Sequence, residues 1–268
     1  MTSLTTAAHP TVRRKADTAQ VADLFYSFQG EGPSFGRRAL FARLMGCNLT
    51  CGYAALPRTS DTPADGTMIC DTEYTWNVAR HDPGTARTMT SAKIWDELRR
   101  IDPATADPSL MPVDLVIVTG GEPLLHRDVV THLAWSARAD GRAVEVETNA
   151  TVAPGSDLIA AGVCFNAGLK LESSAVPRGR RIKPHVIRQL QDTGQARWKF
   201  VVTCPADIQE IVALQHEFGL TQVWLSPEGT TADVVVERMR WMADAALTHG
   251  WNVTSRAHVL IWGDERGR

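Results

Sequence analysis

From residue 23 onward, short β-rich runs alternate with amphipathic stretches, and this rhythm limits the possible folds more than any other feature of the chain. Strands are read over Asp23–Ser27, Ala39–Met45, Val113–Val118, Ala143–Glu147, Gly162–Leu171, Trp198–Thr203 and Gln222–Leu225, with a last one at Val259–Trp262. Helices are read over Ser91–Ile101, Arg127–Ala139, Pro184–Asp192, Ala206–Phe218 and Ala232–His249. Ile94, Trp95, Leu98 and Ile101 give the first of these its helical spacing, and Ser91 is placed to cap it. Val113–Val118 is almost wholly apolar, as a strand covered on both faces must be. Strand–helix alternation implies βαβ units and a parallel sheet. About six units are too few for a closed eight-stranded barrel. The expected architecture is therefore α/β, a partial TIM-like barrel of parallel strands with outer helices.

Chemistry in such a fold belongs at the C-terminal ends of the strands. Four polar motifs fall there: Thr119-Gly120-Gly121-Glu122-Pro123, Glu147-Thr148-Asn149, Gly168-Leu169-Lys170 and Ser226-Pro227-Glu228-Gly229. Cys47 and Cys51 follow the second strand, and Cys70 comes after an irregular loop, Gly52–Ile69, rich in Pro, Gly, Ser, Thr and Asp. Three thiolates can hold three irons of a 4Fe–4S cluster and leave the fourth open to another ligand. Tetrahedral zinc, with His81 as a fourth ligand, or no metal at all, fits the cysteine spacing equally well. The chain has 5 cysteines, an odd number, and a polar N-terminus with no apolar leader segment. Reduced thiols and a cytoplasmic location are expected, with Cys164 and Cys204 as plain core residues. A net charge of −2 opposes a nucleic-acid footprint, and no apolar run is long enough to cross a bilayer. Residues 1–20 are read as a flexible tail and 21–268 as a single domain, with the loop at 52–69 inserted.

Longer stretches carry a resemblance. They are Phe25-Tyr26-Ser27-Phe28-Gln29-Gly30-Glu31-Gly32, Phe41-Ala42-Arg43-Leu44-Met45-Gly46-Cys47-Asn48-Leu49-Thr50-Cys51, Cys70-Asp71-Thr72-Glu73-Tyr74-Thr75-Trp76, Thr119–Pro123, Glu147–Asn149 and Ser226–Thr231. With these the chain resembles the radical S-adenosylmethionine superfamily and, within it, the 7-carboxy-7-deazaguanine synthase family. The likeness runs from about Leu24 to the C-terminus. It departs from the usual Cys-x3-Cys-x2-Cys spacing, since the loop at 52–69 separates the second and third cysteines. Gly168-Leu169-Lys170 stands where the family commonly has Ser-Pro-Lys, and Asn149-Ala150 where it often has Asn-Gly.

The resemblance implies a carbon–nitrogen lyase that contracts 6-carboxy-5,6,7,8-tetrahydropterin to 7-carboxy-7-deazaguanine with loss of ammonia. It implies a 4Fe–4S cluster on Cys47, Cys51 and Cys70, and Mg²⁺ on Thr72. S-adenosylmethionine would meet Gly120, Gly121, Glu122, Glu147, Asn149, Lys170, Ser226, Pro227 and Glu228. Gln29, Gly30, Glu31, Arg43, Thr119 and His258 would bind the pterin, with Arg256 a further polar candidate. An adenosyl radical would take a hydrogen from the pterin and later return it. A flavodoxin or ferredoxin as reductant, and a homodimer, are the implied partners. The competing readings are another radical enzyme, such as an activase that acts on a partner protein's glycine, and a non-catalytic zinc-binding module.

Overall fold

The computed structural model describes residues 17–52, 70–82, 86–263 and 265–267. Its strands are β1 (Thr18–Phe28), β2 (Arg38–Leu44), β3 (Arg87–Thr90), β4 (Leu115–Gly120), β5 (Ala143–Thr148), β6 (Cys164–Ala167), β7 (Ala196–Val202), β8 (Val223–Pro227) and β9 (Asn252–Val253). The helices are α1 (Ser91–Ile101), α2 (Pro103–Ala106), α3 (Arg127–Ala139), α4 (Ser156–Ala160), α5 (Arg178–Arg181), α6 (Pro184–Asp192), α7 (Pro205–Phe218), α8 (Ala232–His249) and α9 (Ala257–Trp262). All strands join one sheet in the order β3-β1-β2-β4-β5-β6-β7-β8-β9. Pairing from β2 through β9 is parallel, so this is the expected open, partial barrel. At one edge β1 runs antiparallel to both β2 and β3.

Side-chain alternation divides the sheet into two chemistries. In β7, Ala196, Trp198, Phe200 and Val202 are buried, while Arg197, Lys199 and Val201 face the other way. Trp198 and Phe200 join Val116, Val118, Val146 and Phe165 in the main core. Leu98 of α1, Leu133 of α3 and Leu214 of α7 close that core from the helix side. The opposite, concave face carries a small apolar cluster of Ala39, Phe41, Leu115 and Ile117 and, on β5 to β7, the polar side chains of Glu145, Glu147, Asn166 and Lys199.

Four expectations need correction. Thr18–Gln20, assigned to the tail, open β1 because β3 supplies their hydrogen-bonding partners. The cap of α1 is Thr90, whose side chain accepts from the Lys93 N–H; the Ser91 hydroxyl bonds the Asp17 carboxylate. Val259–Trp262 is helical: the Ala257 N–H donates to the Gly30 carbonyl, and Ala257 and Val259 are buried. That docking overrides the β propensity of Val-Leu-Ile-Trp, and β9 is the last strand. Cys164 and Cys204 are half-buried, and Cys204 caps α7 in a reciprocal pair with Asp207. Residues 1–16 and the inserted 53–69 lie outside the described residues. Among the described residues no helix is long and apolar enough to cross a membrane.

Candidate active site

The C-terminal rim of the parallel strands opens on a cavity of about 800 Å³. Cys47, Cys51 and Cys70 line one wall of it. Cys47 follows Gly46, whose φ of +96° turns the chain out of β2. Its sulfur accepts from the Leu49 N–H (3.4 Å), and that of Cys70 accepts from the Trp76 indole (3.4 Å). Cys51 packs with Leu49 and Val176. Burial raises all three thiol pKa values, that of Cys51 to about 12, so without a metal they stay protonated. Cys70 also raises the values of Cys47 and Cys51, and Cys47 that of Cys51, which records their proximity. Among the described residues no three His, Cys, Asp or Glu side chains are arranged to hold one metal ion. Three thiols on one wall can each bind a different iron of a cluster, whereas tetrahedral zinc calls for a fourth ligand. His81, the candidate zinc ligand, faces Glu73 instead, at 3.4 Å.

The two glycines after β4 are demanded by packing. A Cβ on Gly120 would lie 1.9 Å from the Leu44 carbonyl, and one on Gly121 would lie 2.3 Å from that of Gly46. This close approach lets the Gly121 N–H donate to Leu44 (3.2 Å) and the Glu122 N–H to Gly46 (2.8 Å). The turn thereby fixes the start of the cysteine loop. Glu122 itself is a correction. Its side chain does not reach the cavity wall but is turned inward, 1% exposed, and accepts from Leu124, Thr148 and Asn149. Burial raises its pKa to about 7 against those bonds. Asn149 is on the wall, yet its side chain also works within the protein. It donates to Asn48 (3.0 Å), lies 3.8 Å from the Cys47 sulfur, and accepts from Thr151.

Glu147, expected on the cofactor side, is held by two residues expected on the substrate side. Thr119 donates to it at 2.6 Å and Gln29 at 3.2 Å. Gln29 arrives from an unexpected direction. Because β1 is antiparallel to β2, its C-terminal end pairs with the beginning of β2, at the rim opposite the cysteines. The segment from Gln29 to Ser34 then crosses the concave face, reaching Glu147 and Glu145 of β5, Lys199 of β7 and Ser226 of β8. Gly30 must lack a side chain, since a Cβ would sit 2.2 Å from the His258 ring.

Glu31 is the centre of the charged network. Lys199 meets it at 2.6 Å and Arg256 at 3.0 Å, and the Ser226 hydroxyl donates at 3.3 Å. Burial alone would raise its pKa, but Lys199, Arg256 and His258 outweigh that and hold it far below the usual carboxylate range. Burial pushes His258 down, towards the neutral ring with one donor and one acceptor nitrogen. Burial works against the Lys170 charge, and the Asp71 carboxylate facing it favours that charge. Arg43 lies 3.8 Å from Asp23 and stacks over Phe25, and among the described residues its Nε has no hydrogen-bond partner. Thr72 lines the cavity beside Cys70, its hydroxyl 3.4 Å from the Gly120 carbonyl.

Ser226 and Pro227, expected beside adenosine, are buried off the wall: Ser226 supports Glu31, and Pro227 is part of β8. Glu228 does line the cavity, paired with Arg238. Lys199, Asp71 and Asn166 line it too and were not among the expected residues. For Lys199 a signal existed, a lone lysine within the apolar run Trp198–Val202.

No protein-family profile matches the chain. Its curated relatives include the 7-carboxy-7-deazaguanine synthase of Halobacterium salinarum, 33% identical over 263 residues, covering 91% of this chain and 90% of that protein. The enzyme of the same name from Pyrobaculum aerophilum is 30% identical over 253 residues, covering 93% and 97%. Among solved structures, QueE from Escherichia coli superposes with a TM-score of 0.62 at 17% identity, over 90% of this chain and 95% of that one. At that identity the superposition speaks for the fold.

Proposed function

Because this chain belongs to the 7-carboxy-7-deazaguanine synthase family, we propose that it is the carbon–nitrogen lyase that makes 7-carboxy-7-deazaguanine from 6-carboxy-5,6,7,8-tetrahydropterin, releasing ammonia. The observation that carries this reading is the single cavity in which Cys47, Cys51 and Cys70 face Gln29, Glu31 and Arg43. Cys47, Cys51 and Cys70 would hold a 4Fe–4S cluster. Gly120, Gly121, Glu147, Lys170 and Glu228 line the same cavity and would meet S-adenosylmethionine. When bound, the two supply one-electron chemistry that begins at a carbon–hydrogen bond of the substrate.

The chain's own residues bind, orient and exclude water. A pterin edge alternates donors and acceptors, and the Gln29 amide, the Glu31 carboxylate and the neutral His258 ring match such an edge. Arg43, ion-paired with Asp23 and stacked over Phe25, lines the cavity, and its guanidinium fork suits the substrate carboxylate. Lys199 and Arg256 keep Glu31 ionised, so it accepts and does not donate. Thr72 offers one hydroxyl for Mg²⁺, an ion that keeps several waters and takes few protein ligands. In this reading the chain from Thr18 onward acts as one catalytic domain in the cytoplasm. A flavodoxin or ferredoxin supplies the electron, and the chain pairs as a homodimer. An activase that reaches into a partner protein would leave Gln29, Glu31 and Arg43 without a task.

The test is anaerobic reconstitution with iron and sulfide, followed by mass analysis of the product formed with S-adenosylmethionine, reductant, Mg²⁺ and the pterin. A brown protein that yields 7-carboxy-7-deazaguanine is expected, and Cys70→Ala should abolish turnover. Full activity in Cys70→Ala would refute the ligand set.

A further inference from the structure

One guanidinium holds three loops of this site together. Arg256 lies between β9 and α9 and is 5% exposed. Its Nε donates to Glu31 at 3.0 Å, its Nη1 to the Gly229 carbonyl at 2.6 Å, and its Nη2 to Asp71 at 2.6 Å. Each partner sits in a different functional segment. Glu31 belongs to the crossing segment that carries Gln29 and Gly30. Asp71 stands between Cys70 and Thr72, and Gly229 follows Glu228. The two carboxylates are not equally secured. Glu31 also has Lys199 and Ser226, whereas among the described residues Asp71 is hydrogen-bonded and ion-paired to Arg256 alone, and its side chain is 47% exposed.

We infer that Arg256 is a positioning residue that couples occupancy of the Glu31 pocket to the placement of the Cys70–Thr72 segment. The reasoning is geometric. A planar guanidinium has a fixed fork of donors, so it cannot reorient towards one carboxylate without changing its angle to the other. A ligand that engages Glu31 draws on its carboxylate and alters its share in Arg256. The Asp71 arm must follow, and with it the residues on either side. Lys199 cannot transmit this change, because its ammonium is a point charge already committed to Glu31 at 2.6 Å. The inference rests on the pterin reading above, which supplies the ligand. It requires no bond to form or break and no titration.

The experiment uses the full chain without added cofactors, and 6-carboxypterin, the oxidised and unreactive form of the substrate, as probe. Hydrogen exchange is followed by mass spectrometry over residues 29–32 and 70–77, with and without saturating probe. In the parent protein the probe should slow exchange in both segments, by about tenfold at 70–77, a typical size for coupling between sites. In Arg256→Gln the probe should still protect 29–32, while protection at 70–77 falls below about twofold. Arg256→Lys should recover little of it, since an ammonium cannot serve three acceptors in the guanidinium plane. Asp71→Asn changes only an exposed partner, so it guards against misfolding of the Arg256 variants; it should break the same link. Undiminished protection at 70–77 in Arg256→Gln or Asp71→Asn overturns the inference. If the probe protects neither segment of the parent, the pterin reading fails first and the coupling fails with it.

Discussion

Glu145 shows what one side chain on the concave face costs and what keeps it there. It stands two residues before Glu147 on β5, is 5% exposed, and accepts from the Ser34 hydroxyl and from Asn166 Nδ2 at 2.8 Å. No cation is paired with it among the described salt bridges. Burial therefore raises its pKa, and the two hydrogen bonds only partly oppose that. A raised carboxyl pKa means that folding favours the protonated form. The stabilising contribution is complete below the ordinary glutamate value and is lost as pH rises through the raised value. Glu145→Gln removes the ionisation while keeping the shape and one acceptor. Its Tm, measured against the parent by calorimetry, should improve by about 2–4 °C between pH 5 and pH 8. The same Tm difference at both pH values would show that Glu145 is not held against its ionisation.

At the scale of elements, the crossing segment and α9 are built against each other. Gly30 admits the His258 ring at a distance no Cβ could share, and the Ala257 N–H bonds the Gly30 carbonyl. Gly30→Ala should push α9 outward, lower stability by about 1–3 kcal/mol, and weaken pterin binding about tenfold. Adding His258→Ala removes the clash, so the double variant should regain most of the stability but not the binding, because the ring nitrogens are gone. Denaturant titration gives the stabilities and calorimetry the binding. Strictly additive stability losses would mean that the two residues do not oppose each other. This contact also marks the limit of what can be read before folding. Cys47, Cys51, Gly120 and Glu147 were legible because each follows or ends an apolar strand, and strand ends share one rim in a parallel sheet. Lys199 was legible in principle from the alternation in β7. The antiparallel sense of β1 was not, since a period of two is the same in either direction, and it alone decides that Gln29–Glu31 enter from the opposite rim. Nor was α9, whose Val-Leu-Ile-Trp favours a strand until Gly30 docks it. The inward turn of Glu122 depends on Thr148 and Asn149, 26 and 27 residues away, which no local pattern reveals.

Across the whole molecule, the cysteine wall is peripheral to what holds the chain folded. The main core lies between the sheet and the helices and draws on every strand from β4 to β8. In the hydrophobic packing the cysteines belong to a satellite group, Leu49, Cys51 and Val176, with Cys47 and Cys70 against it. Their raised pKa values matter here. Without metal the thiols are neutral, and a neutral cysteine packs as a small hydrophobe, so the empty wall buries no uncompensated charge. A small zinc-dependent domain behaves otherwise, because its metal supplies the folding free energy. The iron-free chain should therefore unfold in one cooperative transition with unchanged far-ultraviolet dichroism. Bound iron and sulfide would raise its Tm only through their preference for the folded form. Loss of protection in hydrogen exchange on removing the metal should be confined to 47–52, 70–77 and the 171–177 segment, where the Gly52 N–H bonds the Ser174 carbonyl. Exchange that spreads into α3 or β7, or an iron-free chain with no cooperative transition, would mean that the metal holds the fold itself, and the separation of core from cysteine wall drawn here would be wrong.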